Sequence, residues 1–244
     1  MPHPLILITG ANGGIGQHVL RHLLGHGHTN VLCHYRIEHA LIDEAFRLHD
    51  LAPDSRRFQA DLSDEASVMR MQQAITLAHG PVQVLVNVAG TSSNGMSWKL
   101  ATDDVTRVLN DNVLSTFLCC KAFVPAMRDA GFGRVINFSS IVGATGIPGA
   151  AHYAAAKAAV AGFTKSVAQE VANRGVTVNA LALGYFDAGM ISSVPEVMQA
   201  EIRKRIPAGR FGSGKDVGAA VAYLMDEDAA FLTGQVIHLN GGQF

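Results

Sequence analysis

The chain has 244 residues, 48% of them hydrophobic and 16% charged, with a formal net charge of −1. Such apolar content excludes a disordered chain and permits one large core, and the near-zero charge gives no long-range field for nucleic acid or a membrane surface. No run of ~18 uncharged apolar residues is present, the N-terminus Met-Pro-His-Pro carries no basic leader, and three cysteines make no even disulfide framework, so a soluble, cytoplasmic protein forming a single domain over residues 1–244 is expected.

Short β-rich runs alternate with helical patterns along the chain. This predicts an α/β fold, a Rossmann-type doubly wound parallel sheet of about seven strands with helices on both faces. Strands are expected near 5–9, 30–34, 56–60, 83–87, 133–138, 176–181 and 235–239, punctuated by Pro81, Gly131, Gly133 and Gly175. The first, Leu5-Ile-Leu-Ile8, runs into Thr9-Gly-Ala-Asn-Gly-Gly-Ile-Gly16 and then a helix carrying Val19, Leu20, Leu23 and Leu24. Strand, glycine turn and helix in this order suit a pyrophosphate. Gly10 permits the tight turn, Gly14 the close approach of backbone, and Gly16 close helix packing, while the helix N-terminus favours negative charge. Gly10, Asn12, Gly13, Gly14, Ile15 and Gly16 are therefore candidate cofactor contacts. His18, His22 and His26 follow at spacing four and lack the glutamate of a zinc-protease helix, so they predict an exposed face and no metal.

After the second strand, Val31-Leu-Cys-His-Tyr-Arg36 offers no acid to a ribose 2′-hydroxyl, whereas the Arg36 guanidinium can pair with a 2′-phosphate. NADPH is the expected cofactor, with Tyr35 and Arg36 at its adenosine end; His34 adds charge there only if protonated. Cys119 and Cys120 fall on a helical run and predict buried core. Further along, Tyr153 and Lys157 in His152-Tyr-Ala-Ala-Ala-Lys-Ala share a helix face, thirteen residues after Ser140 (153 − 140). An ammonium one turn away stabilises a phenolate, so Lys157 is expected to lower the tyrosine pKa. A serine hydroxyl can hold a substrate oxygen against the phenol. The combination predicts carbonyl reduction or alcohol oxidation.

Taken together, the glycine turn, Asp61-Leu62, Asn87-Val-Ala-Gly90, Asn112, Ser140, Tyr153, Lys157 and Thr233-Gly-Gln-Val-Ile-His-Leu-Asn-Gly-Gly242 resemble the short-chain dehydrogenase/reductase family over nearly the whole chain. The layout looks most like the beta-ketoacyl-[acyl carrier protein] reductases within it. The resemblance implies hydride transfer to a carbonyl, with Tyr153 protonating the alkoxide, Ser140 orienting the carbonyl, Lys157 also binding the nicotinamide ribose, and Asn112 holding a relay water. Asp61, Leu62, Asn87, Ala89, Gly90, Gly184 and Phe186 join the implied cofactor contacts. It also implies a lid-like insertion at 185–209 containing Met190, Ile191, Val194 and Met198, a homotetramer built on the helices around 113–127 and 150–172, and an acyl carrier protein partner met by Arg174; the second basic position before the fifth strand is Gly131 here, with Arg128 the nearest substitute.

The chain departs from the family pattern at several positions. Gly13 stands where many NADP-type relatives carry a second basic residue, Leu183-Gly184 replaces Pro-Gly, Ala188 replaces a threonine, and Ala150 and His152 replace Gln and Asn. Alternatives are another ketone, a CoA thioester or a sugar-derived substrate, or a non-catalytic cofactor-binding subunit.

Overall fold

The computed structural model describes residues 4–189, 191 and 194–244. Seven parallel strands, β1 Ile6–Thr9, β2 Val31–Tyr35, β3 Arg57–Gln59, β4 Val84–Asn87, β5 Gly133–Ser140, β6 Val176–Leu183 and β7 Val236–Leu239, form one sheet in the order β3-β2-β1-β4-β5-β6-β7. All seven fall where the apolar pattern places them. β5 and β6 run two residues further, because Ser139 and Ser140 continue in register with Ala182 and Leu183. The helices are α1 Gly14–Gly25, α2 Ala40–Arg47, α3 Glu65–His79, α4 Thr102–Leu109, α5 Ser115–Ala130, α6 Val142–Thr145, α7 Ala151–Val171, α8 Glu196–Lys204 and α9 Gly214–Met225. None among the described residues is long and apolar enough to cross a membrane.

The period-two alternation of a strand divides β1 between two cores. Leu5 and Leu7 pack with Ile75, Phe123, Met127 and Val171 from α3, α5 and α7. Ile6 and Ile8 turn the other way, onto Leu20, Leu23, Phe46, Val221 and Leu224 from α1, α2 and α9. A strand covered on both faces reads as an unbroken apolar run, and burying each such side chain stabilises the fold by about 1.5–3 kcal/mol. Leu7→Asp would break this layer by burying a charge without a partner. α3 begins at Asp64, whose carboxylate accepts from the amides of Ala66 and Ser67, as an N-cap should.

The histidines of α1 are not the exposed face expected of them. His18 and His22 are half-buried against α9, and only His26 stands in solvent, stacked on His22 with ring centroids 4.1 Å apart. Gly214 and Gly218 make the room. A methyl group on Gly214 would come 2.6 Å from His18 Nδ1, and one on Gly218 would run into the root of the His22 side chain.

Candidate active site

The cleft opens at the C-terminal ends of the strands, where β1, β4 and β5 deliver their loops. Gly10 takes φ +63°, and a side chain there would meet Ala89 Cα at 2.8 Å, so the β1 and β4 turns pack backbone to backbone. A side chain on Gly16 would run into the Gly10 carbonyl. The first intrahelical bond of α1 runs from Gln17 N to Gly13 O at 2.8 Å, which leaves the amides of residues 14–16 as the positive opening of the helix. Asn12 Oδ1 is buried beside them without a partner. A glycine cradle and an open helix N-terminus at one place fit the pyrophosphate of a dinucleotide. The space over Gly14 is taken by the protein itself, since a methyl group there would lie 2.5 Å from the Gly189 amide nitrogen. The segment after β6 thus straps across the turn, tied down where His18 Nε2 meets Asp187 Oδ1 at 3.0 Å.

His34 supplies no charge to this cleft. It is 3% exposed, and burial pushes its pKa down to about 4. The neutral ring accepts from the Gly10 amide through Nδ1 at 3.1 Å and meets the Ala60 carbonyl through Nε2 at 3.0 Å. It is a strut joining the ends of β1, β2 and β3. Beyond it, Arg36, Gln59, Ala60, Asp61, Ser67 and Arg70 line a cavity of about 320 Å³. Hydrogen bonds from Ser63, chiefly its hydroxyl, hold the Asp61 carboxyl below its ordinary pKa. Leu62 is buried, Tyr35 sits edge-on to His39, and Arg36 Nη1 reaches across to Asp111 Oδ1 at 3.3 Å.

Ser140 ends β5 and Tyr153 and Lys157 lie in the first two turns of α7. The Ser140 hydroxyl stands close enough to the Tyr153 phenol to pull its pKa down and donates to the Leu183 carbonyl at 3.4 Å, whereas Ser139 donates to the Lys157 carbonyl at 2.8 Å and is structural. The Lys157 ammonium donates to the Phe138 carbonyl at 2.8 Å and lies 5.6 Å from the centre of the Tyr153 ring. The expected lowering of the tyrosine pKa is reversed. Burial pushes the phenol up to about 12, against a smaller downward pull from Ser140, and burial pushes Lys157 down to about 8. Desolvation outweighs the pull of Ser140 because the phenol is half-buried and the lysine fully so.

Asn112 lies in a π-turn, Asn110–Leu114, between α4 and α5. Widening the helix there frees a side chain to point inward. Its amide donates to Thr91 O at 2.7 Å and Val108 O at 2.8 Å, while Oδ1 is buried without a partner. A methyl group on Gly90 would strike that oxygen and come 3.4 Å from Lys157 Nζ. The two groups therefore face one gap. Next to Ser140, a second cavity of about 270 Å³ is lined by Ile141, Val142, Thr145, Gly146, Ile147, Tyr185, Ile202, Arg205 and Gln243.

Several expected contacts fall elsewhere. Phe186 is 5% exposed and packs in the core over Gly212, so it anchors the strap from beneath and does not face the cleft. Asn87 turns its side chain into a buried network, donating to Asn137 Oδ1 at 2.9 Å, and so supports the β4 turn; Ala89 and Gly90 form the surface above. Gly184 packs on Asn240. Arg174 precedes β6 and Arg128 lies in the last turn of α5 before β5, which puts both toward the strand starts, whereas Ser140 stands at the strand-end edge. The cation beside the cavity is Arg205, for which the sequence carries no motif. Within the 185–209 segment, α8 buries no residue and exposes Val197 and Met198, unlike a packing helix, while Ile191 is buried; Met190 lies outside the described residues.

A family model described as Enoyl-(Acyl carrier protein) reductase matches residues 10–243. The 3-oxoacyl-[acyl-carrier-protein] reductase FabG of Salmonella typhimurium is 34% identical over 241 residues, 98% of this chain and 97% of that protein. Its namesake in Staphylococcus aureus is 35% identical over 242 residues, again 98% and 97%, and that of Haemophilus influenzae 33% over 244 residues, 100% and 99%. With glycine turn, serine, tyrosine and lysine gathered at one sheet edge and the match spanning almost every residue, the chain belongs to the short-chain dehydrogenase/reductase family and is an NADP-dependent oxidoreductase.

Proposed function

We propose that the chain reduces the 3-oxo group of an acyl thioester carried on acyl carrier protein to the 3-hydroxyacyl thioester, acting as a cytoplasmic, single-domain subunit of a homotetramer. The observation that carries this reading is the meeting of Ser140, Tyr153, Lys157 and Asn112 near a mixed cavity with an aliphatic wall of Ile141, Val142, Ile147 and Ile202 and a polar wall that includes Tyr185, Arg205 and Gln243. The bound nicotinamide supplies the hydride. Ser140 donates to the substrate carbonyl oxygen and holds it against Tyr153. With its pKa raised to about 12, Tyr153 is a phenol at neutral pH, the state required of a proton donor. Its proton passes to the oxygen as the carbon is reduced. Lys157, with a pKa near 8, is mostly an ammonium at pH 7 and replaces that proton, and the open Oδ1 of Asn112 accepts from the water between them. Full-length relatives named as reductases of carrier-linked 3-oxoacyl groups support the substrate, and Arg205 at the cavity is the cation placed to meet an acidic carrier.

The test is NADPH oxidation with a 3-oxoacyl thioester on acyl carrier protein, compared with the same acyl group on CoA. Faster turnover on the carrier, and a loss of about 10²–10⁴-fold in Tyr153→Phe with NADPH binding retained, are expected. Full turnover by Tyr153→Phe would overturn the mechanism. Nucleotide binding without turnover of any thioester would overturn the substrate.

A further inference from the structure

Arg36 leaves the C-terminal end of β2, and Asp111 sits in the π-turn that follows α4, bonded to Thr91 in the loop leaving β4. β1 lies between those two strands in the sheet, and the glycine turn rises from it. The 3.3 Å bridge from Arg36 Nη1 to Asp111 Oδ1 therefore spans the crevice on the side where the adenosine half of a dinucleotide runs outward from the turn. The acid is the fixed member of the pair. Its side chain is 10% exposed, and the Thr91 hydroxyl donates to its other oxygen at 2.7 Å. The arginine side chain is 52% exposed and also lines the adenosine-side cavity, so it can face either anion.

We infer that Asp111 is a specificity-determining residue, the resident anion that a 2′-phosphate must displace from Arg36, and that it thereby lowers the preference for NADPH over NADH. This rests on the assignment of Arg36 to the 2′-phosphate. Gly13 contributes no second cation, and the cavity's other guanidinium, Arg70, lies 3.8 Å from Asp64, so the Arg36 guanidinium serves two anions, and the displaced carboxylate stays anchored to Thr91. NADH brings no anion to that position and leaves the bridge intact.

Isothermal titration of NADPH and of NADH into the full-length protein and its Asp111→Asn, Arg36→Ala and doubly substituted forms tests this directly, with thermal melts of each nucleotide-free variant to verify folding. Asp111→Asn is expected to tighten NADPH about two- to fivefold, the range of a partly exposed ion pair. NADH affinity should stay constant, and the same substitution should give no gain once Arg36 is alanine. Equal shifts for both nucleotides, a gain that persists without Arg36, or weaker NADPH binding would each overturn the inference. If Arg36→Ala leaves NADPH affinity unaltered, the assignment of Arg36 falls and this inference with it; if Arg36→Ala weakens NADPH while Asp111→Asn is silent, only this inference falls.

Discussion

Replacing Lys157 with methionine should leave the nucleotide-free protein more tolerant of urea near neutral pH while removing its turnover. The ammonium is 5% exposed and its pKa falls from 10.5 to about 8 on folding. At pH 7 the lysine is charged in both states, so its burial opposes folding by the full shift, about 3 kcal/mol at ~1.4 kcal/mol per unit. Between pH 8 and 10.5 the unfolded chain binds a proton that the folded chain does not, so wild-type stability rises with pH over that window. Methionine fills the same volume without charge. It also leaves the Phe138 carbonyl, which accepts from the ammonium at 2.8 Å, without that donor, a cost of about 1–3 kcal/mol that does not vary with pH. The pH-dependent part is therefore the cleaner quantity. Urea unfolding of wild type and Lys157→Met at equal protein concentration should show the variant losing about 2 kcal/mol of relative stability between pH 7 and 9.5. A difference that stays flat across this range would refute the reasoning, because it would mean that the buried amine titrates alike in both states.

Gly218→Ala should lower the melting temperature although alanine is the better helix former by about 1 kcal/mol. The added methyl meets the root of His22, which cannot swing away, and overpacking of this kind costs about 1–3 kcal/mol; a melt at or above wild type would mean that α1 and α9 part without penalty. The thiols of Cys33, Cys119 and Cys120 are buried, and burial raises the pKa of each. A disulfide reagent should therefore leave all three unmodified in the native protein and titrate them in denaturant, and rapid native labelling would contradict the packing. Gly90→Ala should perturb the proton relay, since its methyl would press on Asn112 Oδ1. Lower turnover is expected in a steady-state assay, and turnover equal to wild type would contradict the reading that Asn112 Oδ1 and Lys157 face one gap.

Strands, glycine turn and the tyrosine–lysine pair were legible because each depends on neighbours in sequence. Leu5 to Ile8 is apolar at every position since both faces are covered, and Tyr153 and Lys157 share a face whatever packs on it. The features that escaped depend on residues brought from elsewhere. His34 is neutral because the ends of β1 and β3 close over it. Phe186 reads as a cleft residue until Gly212 is seen beneath it. The direction of the Tyr153 shift is hidden for the same reason, as spacing reveals a nearby ammonium but not the loss of water around the phenol. Asn112 is intermediate: the family pattern marks it, yet only the π-turn explains how a helical asparagine reaches the cleft.

The seam between α1 and α9 bears on how the molecule is made. His18 and His22 rest on Gly214 and Gly218, nearly two hundred positions later, so the helix that presents the glycine turn gains its backing only after almost the whole chain exists. Contacts this distant slow folding, because the closure entropy of the intervening loop must be met before they contribute. During synthesis the first strand–turn–helix unit would leave the ribosome with one apolar flank bare, and nucleotide affinity should arise late and abruptly, as α9 docks, rather than growing with chain length.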